Sequence, residues 1–449
     1  MNSVLVRVLT ATAILGLSAC SSAGMAPSLP SQGALAGPGS GDVPFLTMNP
    51  VHNLCAEPSI GRAECFAQVR TDFMPRAQLA PDAGDARCPF YGQGYCPVDL
   101  QSAYDLPSGT AGKDKVVAIV DAYGYHHAAG DLAQYRKTMG LPACSTATKC
   151  LRIVNQEGNP SPLPGEPPPS DDWRGEESLD LDMVSAICPN CKIVLVQTNN
   201  NDTSNLYAGV KTAGSKLGAK YVSASWGSPE SGPDNGDFHQ AGVVITAAAG
   251  DNGGGGRYHG GPYQPCSYTY VVCVGGTHLV RANNSRGWSE NVWNDWTFDF
   301  CGSGSSPCGA TGSGCSKKIS KPPWQTDTQC GMRSEADISA DASLRTPVIV
   351  YNSEIAQCSG NCWYLFGGTS ASTPMIASVY ALAGNAATQG GASGLWKHHA
   401  GNVYDVTLGN NLDANLGVTC ASTVHYICYA RVGFDGPTGW GSPKGIGAF

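Results

Sequence analysis

The sequence is poor in charged residues. Asp, Glu, Lys and Arg make up only 14% of its 449 residues, whereas globular domains usually carry about 25%. A coiled coil depends on Glu and Lys, so this composition excludes one. The net charge is −8 and no basic run occurs, which excludes the usual signature of a nucleic-acid partner. Apolar residues reach 42% and are evenly spread, which excludes wholesale disorder.

Long apolar runs are also missing beyond the N-terminus, so no later segment is expected to span a membrane. Residues 1–20 combine Arg7 with a short apolar stretch that ends in Leu-Ser-Ala-Cys, and this pattern predicts a secretory signal peptide. The ending resembles a bacterial lipobox, in which Cys20 becomes the lipidated first residue. We therefore expect an exported lipoprotein of the cell envelope, anchored only through Cys20. An ordinary cleavage site before a chance Cys would give a secreted protein instead.

Three further regions follow the signal peptide. Residues 21–44 are rich in Gly, Pro, Ser and Ala, which is typical of a flexible linker. Residues 45–96 hold four Cys and little periodicity, and we expect a small disulfide-containing lead-in there. Residues 97–449 form the main domain.

The cysteine count is 19, and removing Cys20 leaves an even number. An even set with short spacings in an exported chain predicts disulfides, although the sequence does not fix their connectivity. For Cys188-x-x-Cys191 we expect a local disulfide, because no second pair lies at zinc-binding spacing. The neighbouring cysteines are 55/65, 88/96, 144/150, 188/191, 266/273, 358/362 and 420/428, with a cluster at 301, 308, 315 and 330.

Short β-rich apolar runs alternate with helical patterns from residue 97 onward. This alternation predicts an α/β fold, an open and mostly parallel sheet flanked by helices. Ligands of such sheets lie beyond the carboxyl ends of the strands. The predicted strands are 115–121, 192–197, 221–226, 243–249 and 271–274, and the predicted helices are 131–139, 174–187 and 206–217.

A glycine-rich turn carries Ser370 to the start of an apolar helix. The free N–H groups at a helix N-terminus favour negative charge, which is what an attacked carbonyl oxygen acquires. On its own, Ser370 would equally suit a simple N-cap. However, the motif Gly-Thr-Ser-x-x-x-Pro resembles the nucleophile segment of subtilisin-like and sedolisin-like serine peptidases.

The His-Gly-Thr-His motif of subtilisin-like enzymes is missing. In its place the chain has Glu176-x-x-x-Asp180, which resembles the carboxyl pair of the sedolisins, or serine-carboxyl peptidases. A spacing of four puts both side chains on one helical face, where they share protons and one pKa rises. Such a pair can take the proton of Ser370 and return it to a leaving amine. The alternative is a solvated acidic face, and we expect Glu177 to be solvated.

Asp251 follows an Ala-Ala-Ala-Gly run. By itself, Asp-Asn-Gly is typical of a turn. In sedolisins an Asp stands here, where subtilisin-like enzymes have the oxyanion-binding Asn. The resemblance therefore implies that Asp251 binds the oxyanion, and it must be protonated to donate a hydrogen bond. It also implies that the edge at Ser225-Trp226-Gly227 pairs with a peptide substrate, where the alternative is a plain core strand.

Two C-terminal segments resemble the sedolisin calcium site. The resemblance implies one Ca²⁺, with carboxylate oxygens from Asp405 and Asp435 and backbone carbonyls from Val406, Arg431 and Gly433. Oxygen ligands from two loops suit this hard cation. The family usually has Gly at the position of Arg431, and two isolated turn Asp residues are the alternative.

The resemblance spans roughly residues 97–449 and implies an exported serine-carboxyl endopeptidase. We expect a monomer that cleaves protein or peptide substrates through an acyl-enzyme at acidic pH. One alternative is a His-dependent subtilisin-like enzyme that uses His126 or His127, which follow Asp121. The other is a catalytically silent surface-binding module on the same fold.

Overall fold

A computed structural model describes residues 51–71, 88–90, 92–254, 262–296, 308–355, 358, 360–413, 420 and 422–449. The predicted signal peptide with Cys20, the linker, and Cys301 lie outside the described residues. Within those residues, no helix has the length and apolar character that a membrane crossing requires.

The described secondary structure comprises 20 strands and six α-helices. The helices are α1 Pro97–Ala103, α2 Ala128–Thr138, α3 Trp173–Ile187, α4 Thr203–Lys211, α5 Thr369–Ala383 and α6 Ser393–His398. The strands are β1 Val51–Asn53, β2 Glu64–Cys65, β3 Gln68–Arg70, β4 Val116–Ala122, β5 Leu151–Asn155, β6 Lys192–Thr198, β7 Tyr221–Ala224, β8 Trp226–Pro229, β9 Val244–Ala248, β10 Asn252–Gly254, β11 Tyr263–Gln264, β12 Val271–Arg281, β13 Trp288–Val292, β14 Ala310–Ser320, β15 Met332–Glu335, β16 Ile338–Asp341, β17 Val348–Tyr351, β18 Trp363–Gly367, β19 Val403–Tyr404 and β20 Ser442–Pro443.

The central sheet has eight described strands in the order β13-β12-β9-β7-β4-β6-β5, with β16 pairing to β12. All of these pairings are parallel except β12 with β13. The inner strands are Val-, Ile- and Ala-rich and buried along their length, as expected when helices cover both faces. The predicted open, mostly parallel sheet is confirmed.

Two long helices bring the catalytic candidates together. Helix α3 packs against α5 and β4, and α5 also packs on β7 and β9. Gly368 precedes α5 with φ at 94°, a left-handed conformation that favours glycine. A Cβ there would also stand 1.9 Å from the carbonyl oxygen of Phe66. Glycine at this position therefore permits both the turn and the close approach.

One predicted strand is divided in the structure. The run 221–226 was expected to be continuous, but β7 ends at Ala224 and β8 begins at Trp226. The break occurs because β7 pairs inside the central sheet, whereas β8 pairs with β2 and β11 in a separate three-stranded sheet. It leaves Ser225 at the carboxyl end of a central strand, beside α5.

The described part of the lead-in forms strands that pair with strands of the main domain. Strand β3 lies between β1 and β18, and β2 pairs with β8. Eight disulfides join described cysteines, and seven of them are the neighbouring pairs predicted from the sequence. The eighth joins Cys315 to Cys330 within the cluster whose pairing was open.

Candidate active site

Ser370 lies in the first turn of α5 and is fully buried. Its hydroxyl donates to the backbone carbonyl of Ser225 over 2.9 Å and accepts the N–H of Phe66 at 3.0 Å. The Ser370 N–H donates to the Phe66 carbonyl oxygen at 3.3 Å. The predicted nucleophile is therefore in direct contact with another segment of backbone.

Glu176 and Asp180 project from α3 into the same buried region, and neither is solvent-exposed. The Ser225 hydroxyl donates to both carboxylate oxygens of Asp180, at 2.7 and 2.9 Å. Among the described residues, neither oxygen of Glu176 has a hydrogen bond of standard geometry. Burial raises the pKa of Glu176, Asp180 raises it further, and the Ser370 hydroxyl partly offsets the rise. This is the environment expected of a proton-sharing pair.

A third carboxyl belongs to this cluster. Asp121, near the end of β4, is fully buried, and neither of its oxygens has a hydrogen bond from a described residue. Burial raises its pKa to about 8, and its charge raises the pKa values of Glu176 and Asp180. No sequence motif assigned Asp121 to the carboxyl cluster. The available signal was an acidic residue closing a buried parallel strand.

The expectation that Glu177 is solvated is wrong. Glu177 is completely buried, and Gln197 Nε2 donates to its Oε2 at 2.7 Å. Asp182 is buried as well and accepts the N–H of Tyr351 at 3.0 Å. The physical reason is that α3 lies among α1, α2, α5, β4 and β17, so it has no solvent-exposed acidic face.

Asp251 lies beyond the carboxyl end of β9 and contacts the start of α5. Its Oδ1 accepts the N–H and the hydroxyl of Thr369 at 2.9 and 2.8 Å. Its Oδ2 and the carbonyl oxygen of Phe66 both lie within 3 Å of the position that a Cβ on Gly368 would take, at 2.8 and 1.9 Å. Burial raises the pKa of Asp251 to about 7, so the carboxyl is protonated in acid. A protonated Asp251 can donate a hydrogen bond near the start of α5, on the same side of Gly368 as the Phe66 carbonyl oxygen.

The two histidines of the alternative mechanism lie at the surface. His126 pairs with Glu166, and His127 Nε2 lies 3.2 Å from Glu354. Their side chains are 65% and 56% exposed, and no described contact links either ring to Ser370. The geometry therefore gives no support to an imidazole base.

The predicted calcium loops meet through hydrogen bonds. Asp405 Oδ2 accepts the N–H of Gly433 at 2.9 Å, and Asp435 Oδ2 accepts the N–H of Arg431 at 3.0 Å. Burial raises the pKa of Asp435 to about 7, and the nearby charge of Asp405 adds to the rise. The Arg431 side chain is directed elsewhere, because its Nε donates to the Phe434 carbonyl at 2.8 Å. Val406, the remaining predicted ligand, is buried beside Asp405.

Comparison with known proteins identifies the family of this chain. The model of the Subtilase family matches residues 165–417. Kumamolisin from Bacillus sp. (strain MN-32) is 30% identical over 78% of this chain and 62% of its own length. Sedolisin from Pseudomonas sp. (strain 101) is 26% identical over 78% of this chain and 60% of its own. The chain thus spans about three fifths of the length of these curated relatives.

A solved structure shares the fold. Pseudomonas sedolisin, described as a serine-carboxyl proteinase and complexed with two molecules of pseudo-iodotyrostatin, has a TM-score of 0.60 and is 26% identical. The match covers 78% of this chain and 95% of that one. The fold is therefore that of the subtilisin-like α/β proteins.

Proposed function

The chain belongs to the subtilase family, with relatives among the sedolisins, and on that premise we propose that it is a serine-carboxyl endopeptidase. The observation that carries the proposal is the placement of Ser370 beside buried Glu176, whose own neighbours are the buried carboxyls of Asp180 and Asp121. Carboxyls thus occupy the place that an imidazole takes in a His-dependent enzyme. A protein or peptide is the expected substrate.

The residues divide the chemistry between them. Glu176 takes the proton as the Ser370 hydroxyl attacks a peptide carbonyl, and it returns the proton to the leaving amine. Asp180 holds and tunes Glu176 by charge, while the Ser225 hydroxyl fixes the orientation of Asp180. The developing oxyanion receives hydrogen bonds from the Ser370 N–H and from protonated Asp251. Water then hydrolyses the acyl-enzyme.

The same assignments favour acidic pH. Asp251 donates only when protonated, and its pKa of about 7 sets the upper pH limit for that protonated state.

The N-terminal sequence determines the proposed cellular location. The signal peptide and Cys20 would export the protein to the cell envelope as a monomeric lipoprotein, or secrete it if Cys20 is not lipidated.

A calcium ion suits the C-terminal loops. Asp405 and Asp435 bring two carboxylates close enough for one to raise the pKa of the other, and the Arg431 guanidinium is not placed on them. Such an arrangement of oxygen donors fits a hard cation. Bound there with the carbonyls of Val406, Arg431 and Gly433, Ca²⁺ would neutralise the pair and fix the two loops together.

The decisive test is digestion of casein from about pH 3 to about pH 8 by the wild type and by Ser370→Ala, both with Ca²⁺. We expect acid-favoured cleavage by the wild type and a loss of at least about 10³-fold in the variant, as for removal of a nucleophile. Equal activity in the two proteins would reject the assigned nucleophile. An activity that peaks above neutrality and disappears on mutation of His126 or His127 would favour the imidazole mechanism.

A further inference from the structure

The cleft in front of Ser370 is filled by the chain itself. Strand β2 pairs antiparallel with β8, placing Glu64 opposite Gly227 and Cys65 opposite Trp226. This is the edge at which a peptide substrate is expected to add as a strand. Past Ser370 the same segment continues as β3 and pairs antiparallel with β18. Residues 64–70 therefore run through the cleft on both sides of the nucleophile.

One peptide group of this segment lies at the reacting position. The carbonyl oxygen of Phe66 receives the Ser370 N–H, and it and Asp251 Oδ2 both face Gly368, at 1.9 and 2.8 Å from the position of an added Cβ. The Phe66 N–H donates to Ser370 Oγ and also to the Ser225 carbonyl at 3.2 Å. These are the contacts expected for the residue whose carbonyl is attacked, so the bond between Phe66 and Ala67 occupies the place of a scissile bond.

The Phe66 ring fills a pocket suited to an aromatic group. It is almost fully buried and packs edge-on against Tyr263, with ring centroids 5.0 Å apart. A Cβ on Gly227 would stand 2.8 Å from the ring, and one on Gly250 would stand 3.4 Å from it. The absence of side chains at these two positions makes the room that the ring occupies.

A covalent brace holds the segment. The Cys55–Cys65 disulfide joins the residue before Phe66 to the chain that follows β1. Next to it, the Leu54 N–H donates to the Ala67 carbonyl at 3.1 Å, and β1 pairs with β3. Both sides of the bond between Phe66 and Ala67 are thereby attached to one compact unit.

The residues on either side of the Cys55–Cys65 disulfide also contact the main domain. Asn201 Nδ2 donates to the Ala63 carbonyl at 2.9 Å, and the Ala63 N–H donates to the Asn201 carbonyl at 2.8 Å. The Leu54 side chain covers Gly175 at the start of α3, where an added Cβ would stand 2.3 Å from it. The segment is therefore docked on both flanks of the cleft.

We propose that residues 51–70 are a disulfide-braced, substrate-like inhibitor of this chain's own active site. The inference rests on the proposed function and extends it by assigning a pocket for an aromatic side chain before the cleaved bond. The segment competes with other peptides and lowers their cleavage without abolishing it, because it is present at the high effective concentration of an intramolecular ligand.

The brace also explains how such a segment would persist in an active enzyme. Attack forms a bond from Ser370 Oγ to the Phe66 carbonyl carbon, and the bond from that carbon to the Ala67 nitrogen breaks. The proton from Ser370 passes through Glu176 to the Ala67 nitrogen. Because β1 and Leu54 retain Ala67 beside the acyl group, the amine can attack it and restore the peptide bond and the Ser370 hydroxyl before water enters.

The test removes the brace and measures both cleavage and binding. In the full chain, Cys55→Ser with Cys65→Ser should raise hydrolysis of an added peptide with Phe before the cleaved bond, on the order of 100-fold, as a tethered competitor is loosened. Mass spectrometry should show new ends at Phe66 and Ala67. The matched control is Cys144→Ser with Cys150→Ser, which removes a disulfide of similar loop length and should leave both readouts at the wild-type level.

A binding arm separates this proposal from the peptidase assignment. In the Ser370→Ala background, a fluorescent peptide with the sequence of residues 62–70 and Ser in place of Cys should bind only after the brace is removed. Binding should be lost when Asp replaces Phe in the peptide. This pattern would support the inhibitor segment even if no protein hydrolysed any substrate, an outcome that would reject the peptidase assignment alone. Equal peptide binding with and without the brace would overturn the proposal, and so would equal hydrolysis by two proteins that both cleave the added peptide.

Discussion

Two buried carboxyls, Asp337 and Glu176, are fully enclosed and yet differ in every contact. Asp337 Oδ1 accepts from Arg333 Nη1 at 2.9 Å and from the Trp396 indole at 2.9 Å, and its Oδ2 accepts the N–H of Cys273 at 2.8 Å. Glu176 has no cationic donor among the described residues; the Ser370 hydroxyl only partly offsets the rise of its pKa, and its charged neighbours are other carboxyls. Asp337 is paired with a cation, whereas Glu176 faces groups of its own charge.

The difference in partners distinguishes a buried carboxyl that stabilises the fold from one suited to proton transfer. A buried charge that is paired and hydrogen-bonded holds the fold together, and removing its partner is costly. A buried carboxyl that faces other carboxyls has a raised pKa and can exchange a proton with them. Burial alone would not distinguish the two, since both side chains have no exposed surface.

Replacing the unpaired carboxyl should have the largest effect on activity. We expect Glu176→Gln to lower kcat by about 10³-fold, because the amide cannot accept the Ser370 proton. Thermal unfolding should be unchanged or shifted upward, since an unsatisfied buried acid is removed. Glu177→Gln is the matched control on the same helix and should retain most of the activity. The reverse result for the two variants would move the base to Glu177.

Replacing the paired carboxyl should affect stability instead. Asp337→Leu leaves the Arg333 guanidinium buried without its partner, at a cost of about 3–5 kcal/mol of unfolding free energy. Denaturant unfolding measures the loss. The double variant Arg333→Met with Asp337→Leu should recover much of it, whereas a double variant as unstable as the single one would show that the charge pairing is not the cause.

The unpaired carboxyls should also make stability depend on pH. Burial raises the pKa of Asp121 to about 8 and that of Asp251 to about 7, so the folded protein binds these protons more tightly than the unfolded chain does. Their contribution is complete below about pH 4 and is lost as the pH rises through the folded values. Using the inactive Ser370→Ala variant, we expect Tm to fall by roughly 5 °C between pH 5 and pH 8. A Tm that rises over this interval would contradict the assignment.

Asp251 stands between these two cases, because its Oδ1 accepts two hydrogen bonds from Thr369 while burial still raises its pKa to about 7. Asp251→Asn should have the smallest effect, about tenfold or less on kcat/KM at pH 5, because an amide also donates to an oxyanion. Its donor does not depend on pH, so the upper limit of the pH profile should move upward. If the upper limit of the pH profile does not move, that limit is set by Glu176 and Asp180 on α3 and not by Asp251.

The sequence predicted the parts of the site that depend on local pattern. The turn before Ser370 and the spacing of four between Glu176 and Asp180 are short-range features, and the structure brings these residues together with Asp251. The prediction that Glu177 is solvated was wrong because the spacing argument assumes that one face of a helix is exposed to solvent. Helix α3 is instead enclosed on every side.

The missing parts depend on pairing between distant segments. Asp121 joins the cluster only because β4 lies beside β7 and β6 in the sheet. The position of Phe66 follows from the pairing of β2 with β8 and of β3 with β18. No periodicity in the cysteine-rich lead-in indicates such a partner for Phe66, so its position was not accessible from the order of residues alone. For Asp121 the only signal was its place at the end of a buried strand.

The long span of the contacts around Ser370 has a consequence for synthesis. Its hydroxyl contacts Ser225 and Phe66, which precede it by 145 and 304 residues. Such non-local contacts form only after the intervening chain has collapsed, and Ser370 itself emerges late from the ribosome. A nascent or truncated chain therefore lacks the assembled nucleophile, and the proposed peptidase would be inactive until the whole domain has been made.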